Sequence, residues 1–290
     1  MTTKTKRDVR EEARARVAAQ RRAEARRAYQ IRAGIAVLVV LAVVGIIVGV
    51  YFSRDTAKPA ASRAPASAQL IAAVTGVPAA TLDAVGKGKV DTLSKSTSGE
   101  SVRMADGKPL VFFMGAEFCP YCAAERWPLI VALSRFGTFS NLSTTFSSST
   151  DTDPNTPTFS FHGSSFTSKY ITFQPVEVET NQPASGGGYT ALDKLTSDQQ
   201  AIVSKFDQGG GFPFVDFGDQ SIGTAVSYDP ALLAGMTHDQ IAAQLKDPNS
   251  AIAKAILGSA NAYTAEICKL TNNQPSDVCS SPAATAYSGG

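Results

Sequence analysis

Five consecutive apolar residues, Leu110-Val111-Phe112-Phe113-Met114, lead into Cys119-Pro120-Tyr121-Cys122 and then into a segment of helical spacing. An apolar run of this length bounded by turns predicts a strand buried on both faces, as in the middle of a mixed or parallel sheet. Two thiols three positions apart, where that strand gives way to a helix, can both reach one disulfide. The helix N-terminus adds partial positive charge that stabilises a thiolate. A thiolate so placed attacks other disulfides, and its neighbour resolves the mixed disulfide that forms. A structural or metal-binding pair is the competing use of the same spacing.

Charge is distributed unevenly. Residues 1–32 carry eleven Lys/Arg against four acids, a net of +7; the whole chain is +2, so the other 258 residues sum to −5. Nucleic-acid binding would place the excess base on the folded domain, so no nucleic-acid partner is expected. Here the base flanks Ala33 to Phe52, twenty residues without charge or proline. At ~1.5 Å per residue this stretch spans about 30 Å, the thickness of a bilayer's hydrocarbon core. The positive-inside rule then keeps residues 1–32 in the cytoplasm and sends the rest outside. A cleavable signal peptide competes less well: the leader is long, and the nearest small-residue site is Ala66-Ser67-Ala68. The expected localisation is a single-pass membrane protein with an extracytoplasmic C-terminal domain, and the lipid bilayer is its first partner.

All four cysteines fall in the exported part, as Cys119/Cys122 and Cys268/Cys279. An even count outside the cytoplasm suggests disulfides, and four cysteines allow three pairings. The simplest joins each to its near neighbour. A Cys268–Cys279 bridge would staple the chain end to the last helix, a structural role.

Along the chain, 53–69 reads as a Pro/Ala/Ser linker, 70–280 as the exported domain and 281–290 as a flexible tail. Val90–Leu93 and Ser101–Met104 are expected to pair around Ser98-Gly99. Ala123 to Arg135 is helical, with a kink expected at Pro128. Residues 140–189 are rich in Ser, Thr and aromatics, with strands expected at Asn141–Ser147, Thr158–Phe161 and Tyr170–Glu179. Thr196 caps a helix to Phe206. Phe212-Pro213 opens a strand, where a missing N–H does least damage, and Gln220–Tyr228 returns as its hairpin partner. Helices follow over Pro230–Ala234, from Thr237, and over Asn249 to Leu270.

This order resembles the thioredoxin superfamily over roughly residues 88–270. The resemblance implies an α/β fold: a thioredoxin-like mixed sheet flanked by helices, with a Ser/Thr-rich insertion at about 140–189, preceded by one transmembrane helix. It also implies a cis proline facing the two cysteines, and Pro213 stands at that place. The Pro-Tyr dipeptide is similar to that of glutaredoxins; the export, the anchor and the wide spacing from Cys122 to Pro213 look more like the disulfide-bond-forming, DsbA-like branch. The leader, anchor and terminal cysteine pair are similar to an uncharacterised group of actinobacterial membrane-anchored proteins. Two features depart from the superfamily. Thioredoxin proper has a buried acid six residues before its first cysteine, where this chain has Phe113; Glu117 or Glu125 would have to substitute. The 140–189 segment carries strand signals where the DsbA-like branch has a helical insertion.

The implied activity is protein thiol–disulfide exchange on exported thiols or disulfides, recycled by a membrane redox partner and needing no cofactor. Cys119 would attack, Cys122 resolve, Pro213 align the substrate backbone, and Tyr121 and Phe212 shape the surface. The alternatives are a redox-inactive binding module tethered to the membrane, or copper held by Cys119, Cys122 and a folded-in His162. His238, in a helix's first turn, reads as solvated. No metal site is expected from histidine spacing, and nucleotide-binding and serine-hydrolase motifs are missing from the sequence. In cell fractionation the full chain should resist a carbonate wash of the membranes, whereas a truncation starting at Ser53 should be soluble. Release of the full chain by the wash would remove the anchor from this scheme.

Overall fold

The computed structural model describes residues 62–90, 94–97, 99–207 and 209–287. The basic leader, the apolar stretch 33–52 and most of the expected linker lie outside the described residues. Among the described residues no single helix is long and apolar enough to cross a membrane.

The chain begins with β1 (Ala64–Pro65), α1 (Ala68–Thr75), α2 (Ala79–Val85), β2 (Lys95–Ser96), β3 (Met104–Ala105), β4 (Lys108–Gly115) and α3 (Pro120–Leu133). Seven strands follow: β5 (Gly137–Ser140), β6 (Ser143–Phe146), β7 (Pro157–Ser160), β8 (Ser165–Ser168), β9 (Thr172–Glu177), β10 (Glu179–Pro183) and β11 (Tyr189–Ala191). Then come α4 (Ser197–Phe206), β12 (Phe214–Phe217), β13 (Ser221–Gly223) and a 3-10 turn (Pro230–Leu233). The chain closes with α5 (His238–Gln244), α6 (Ala251–Leu270), α7 (Ser276–Cys279) and α8 (Pro282–Thr285).

The apolar run forms the centre of a mixed sheet. β4 pairs in parallel with β9, from Leu110↔Thr172 to Gly115↔Glu177, and antiparallel with β12, from Phe214↔Met114 to Phe217↔Val111. β12 turns back into β13, and β2 adds outside it, giving the order β2-β13-β12-β4 with β9 on the far side of β4. Strand periodicity sends alternate side chains to opposite faces. Val111, Phe113, Val215 and Phe217 join Trp127, Leu129, Ile256 and Tyr263 of α3 and α6 in the larger core. Leu110, Phe112, Met114 and Phe214 face Ile202 and Val203 of α4 in the smaller one. Each fully buried phenylalanine contributes about 1.5–3 kcal/mol of transfer free energy, so β4 is fixed from both sides.

Helix α3 continues through Pro128. Proline cannot donate to the carbonyl four residues back, at Ala124. The Tyr228 hydroxyl donates to that oxygen instead, at 2.7 Å. The Ser/Thr-rich stretch makes small sheets, β1-β6-β7 and β5-β8. It docks on α3 through the Trp127 indole N–H to Pro157 O (3.0 Å) and the Thr158 hydroxyl to Ala123 O (2.8 Å).

Several expectations need correction. The expected Val90–Leu93 strand lies, apart from Val90, outside the described residues; beyond it Lys95–Ser96 (β2) joins β13, and Met104–Ala105 (β3) joins β4. The expected 140–189 insertion includes β9, which belongs to the central sheet. Only Ser221–Gly223 of the expected Gln220–Tyr228 partner is strand, and Pro230–Leu233 is a 3-10 turn. The linker's end is folded, because Ala64 and Pro65 pair with β6. The tail is packed as far as Tyr287: Ala283 and Ala284 are buried, and the Tyr287 hydroxyl donates among the carbonyls of Lys87, Val90 and Gly258. His238 is half-buried, its Nε2 lying 2.7 Å from Thr158 O and 3.0 Å from Thr145 O.

Asp216 is a buried acid on β12. Its Oδ1 accepts the Asp219 N–H at 2.8 Å and its Oδ2 has no partner. Burial pushes its carboxyl up to about 7. The folded state therefore holds a proton that the unfolded chain, at about 3.9, releases. Stability conferred by this group falls as pH rises between those values, by an amount on the order of 4 kcal/mol. Asp216→Asn should gain on the wild type between pH 4.5 and 8 in urea unfolding, and a pH-independent difference would contradict this assignment.

Candidate dithiol site

β4 ends at Gly115, where there is no room for a side chain. A Cβ there would lie 2.6 Å from the Phe113 ring and 3.2 Å from the Cys122 sulfur. Ala116-Glu117-Phe118 then carries the chain to Cys119, which occupies the N-cap of α3 with Pro120 at the first helical turn. The Cys119 sulfur accepts the Cys122 amide N–H at 3.3 Å, the bond a capping side chain makes. Both cysteines are free thiols; Cys119 is 6% exposed and Cys122 fully buried.

The two sulfurs differ electrostatically. The Cys119 thiol is lowered, first by the hydrogen bond it accepts from the Cys122 thiol, then by the Cys122 and Tyr121 amides and the Arg126 charge, against the cost of burial. The Cys122 thiol is pushed well above its usual value, first by burial and then by donating to Cys119. The surroundings thus favour a thiolate at Cys119 over one at Cys122.

The Phe212-Pro213 peptide is cis. Phe214 lies opposite Met114, so Pro213 falls one residue further toward the Gly115 end of β4, the end that delivers the cysteines. Phe212 packs with Phe118 and Val178 against Ala116, Cys119 and Cys122. The Phe118 ring meets Phe212 edge-on at 6.3 Å and stacks on Tyr189 of β11 at 4.0 Å. Tyr121 is 42% exposed and borders an open groove of about 580 Å3 with Asp153 and the 226–231 loop. Cys268 and Cys279 form a disulfide, Cα–Cα 5.5 Å, that joins the end of α6 to α7 away from this cluster.

The histidines lie elsewhere. His162 Nδ1 sits 2.7 Å from Asp193 Oδ1, and His238 is held as above. Among the described residues no group of three or more His, Cys, Asp or Glu is placed to hold a metal, so the Cys119–Cys122–His162 copper set, given above as an alternative, is not assembled.

Neither carboxylate proposed to replace the missing strand acid is simply available. Glu117 Oε1 is engaged by Arg63 at 2.8 Å and by the Ser160 hydroxyl. Glu125 is fully buried with neither oxygen partnered, and burial pushes its carboxyl well above the usual range. Sequence reading missed Arg126, which lies one helical turn after Cys122. It is fully buried and bidentate to Glu177 of β9, Nε to Oε1 at 2.8 Å and Nη2 to Oε2 at 2.6 Å. The i, i+4 spacing from Cys122 was a readable signal; Glu177, fifty-one positions away, gave none.

A family model described as a domain of unknown function (DUF929) matches residues 100–187, a stretch that holds β4, both thiols, Arg126 and Glu177 and stops short of Pro213. No curated protein and no solved structure matches the chain.

In the reduced protein, iodoacetamide should modify Cys119 with a pH midpoint below the ~8.5 of a free thiol, while Cys122 stays protected until unfolding. Peptide mass spectrometry reads both sites. Preferential modification of Cys122 would reverse the assignment.

Proposed function

We propose that this chain is a membrane-anchored extracytoplasmic thiol–disulfide oxidoreductase with a thioredoxin-like domain, acting on exported proteins. One observation carries the reading. A free thiol pair stands at a helix N-terminus, with Cys119 as the cap, at the sheet end where Pro213 opens the neighbouring antiparallel strand. The element order around it supports the fold assignment: strand, dithiol helix, parallel strand, helix, proline-led antiparallel strand, hairpin partner and terminal helix.

Cys119 is the attacking sulfur, since it caps the helix and keeps some exposure. With a substrate disulfide it forms a mixed disulfide and expels a substrate thiolate, which takes up the proton that Cys122 gives up as it attacks Cys119 and frees the substrate. The same steps run in reverse when the disulfide of the couple meets a substrate dithiol. Pro213 has no N–H, so an extended substrate segment can lie along the strand edge there, with Phe212 and Tyr121 as its walls. The lipid anchor at 33–52, which lies outside the described residues, would hold this chemistry at the membrane near a redox partner embedded there.

A second reading has one observation behind it. Cys119 is only 6% exposed and is packed among Phe118, Phe212 and Val178, as an inert pair in a tethered binding module would be.

Activity separates the two. Cys119→Ala should abolish thiol exchange with a scrambled or reduced protein substrate, and Cys122→Ala should accumulate mixed disulfides through Cys119, seen on non-reducing gels. Undiminished exchange by Cys119→Ala would refute the enzymatic scheme.

A further inference from the structure

The Arg126–Glu177 pair is costly as a structural device. Both side chains have no exposed surface, and a buried ion pair often stabilises a fold no better than apolar residues of similar volume. The guanidinium is nonetheless fixed from several directions. Glu177 grips it with both oxygens, its Nη2 also donates to Ala116 O at 2.8 Å, and its carbon lies 5.8 Å from the centre of the Phe113 ring. Nη1 is buried without a hydrogen-bond partner. Ala116 packs directly on both cysteines, so the same bond sets the loop that enters α3.

The surrounding charges leave this cation to act on the sulfurs. Glu117, on the loop, is engaged by Arg63 and Ser160. Burial raises the Glu125 carboxyl, on α3, and so disfavours its charged form. Asp193 accepts the Glu177 amide N–H at 3.2 Å and is paired with His162. Glu177 is committed to Arg126 and to the Phe161 N–H. Arg126 lowers both thiols.

We propose that Arg126, clamped by Glu177, is the positioning residue that biases the Cys119/Cys122 couple toward accepting electrons, making the chain an oxidant of client dithiols. This rests on the oxidoreductase reading above and adds its direction. A thiolate exists only in the reduced couple, so a cation that stabilises it favours the reduced form and strengthens the disulfide as an oxidant. In the reaction a client thiolate attacks the Cys119 sulfur of the disulfide, and Cys122 leaves as a thiolate that takes up a proton. The second client thiol loses its proton and attacks the client sulfur of the mixed disulfide, releasing the Cys119 thiolate. The client loses two electrons and the couple gains them; glutathione disulfide regenerates it in the assay.

The test uses the full chain in detergent, equilibrated with glutathione buffers and read by alkylation and mass spectrometry. The double variant R126M/E177Q removes both charges and leaves no orphaned carboxylate. Its equilibrium should move roughly tenfold toward the disulfide, about 30 mV more reducing. Its Cys119 alkylation midpoint should rise by about one pH unit. R126K, which keeps the charge, should restore most of both shifts, whereas a packing role would not distinguish charge. E177Q alone frees the cation and should move both readouts the opposite way, and this arm decides if the double variant fails to fold. A folded R126M/E177Q or E177Q protein with unchanged equilibrium and midpoint overturns the inference while leaving the oxidoreductase reading intact. A wild-type couple that does not equilibrate with glutathione at all sinks that reading, and this inference with it.

Discussion

Burial of β4 on both faces is the constraint from which the rest of the molecule follows. A central strand needs a neighbour on each edge and a layer on each face. A parallel neighbour cannot be reached by a hairpin, so the chain must cross over, and the crossover from Gly115 to Thr172 contains α3 and β5 to β8. The antiparallel neighbour β12 runs back along the other edge and brings Pro213 to the end where the cysteines emerge. A one-residue slip in either pairing would exchange Phe112 and Phe113 between the two cores, so the register that fixes the fold also fixes the site.

What the sequence made legible was local. The apolar run, the thiols at the following helix, the proline-led strand and the helix capped by Thr196 each depend on residues a few positions apart, and each lies where its local signal puts it. Gln199 even completes the capping box that a Glu would have advertised more strongly. What failed was non-local. Thr172–Glu177 reads Thr-Phe-Gln-Pro-Val-Glu, polar enough to be merged with the Ser/Thr-rich stretch before it, yet parallel pairing with β4 makes it a core strand. The tail has no apolar periodicity, but the Cys268–Cys279 bridge holds it against α6 and lets two alanines complete the core. His238 follows an N-cap, which suggested solvent; its ring instead packs on Phe146 and its Nε2 meets two carbonyls.

The buried charges divide into two kinds. Burial disfavours the charged form of Glu125 and Asp216, raising the first carboxyl well above its usual range and the second to about 7. Arg126 cannot shed its charge, since a guanidinium stays protonated in proteins. Its charge must be met by a carboxylate, and Glu177 reaches it because β9 lies parallel to β4 and ends level with Gly115. The pairing of strands thus decides which charge stands behind the thiols.

The Ser/Thr-rich small sheets serve the same end by hydrogen bonding more than by apolar burial. The Ser148 N–H donates to Phe118 O at 2.8 Å, and the Glu117 N–H donates to Glu179 O at 2.9 Å. Ser160 and Arg63 hold the Glu117 carboxylate. The three residues between β4 and Cys119 are therefore tied on both sides by main-chain bonds and from beneath by Arg126 on Ala116 O. A loop restrained in this way holds the Cys119 sulfur at the helix end, where its hydrogen bond from the Cys122 amide is retained. A stretch that read as a Ser/Thr-rich insertion is the frame that keeps the helix terminus and the thiol in register.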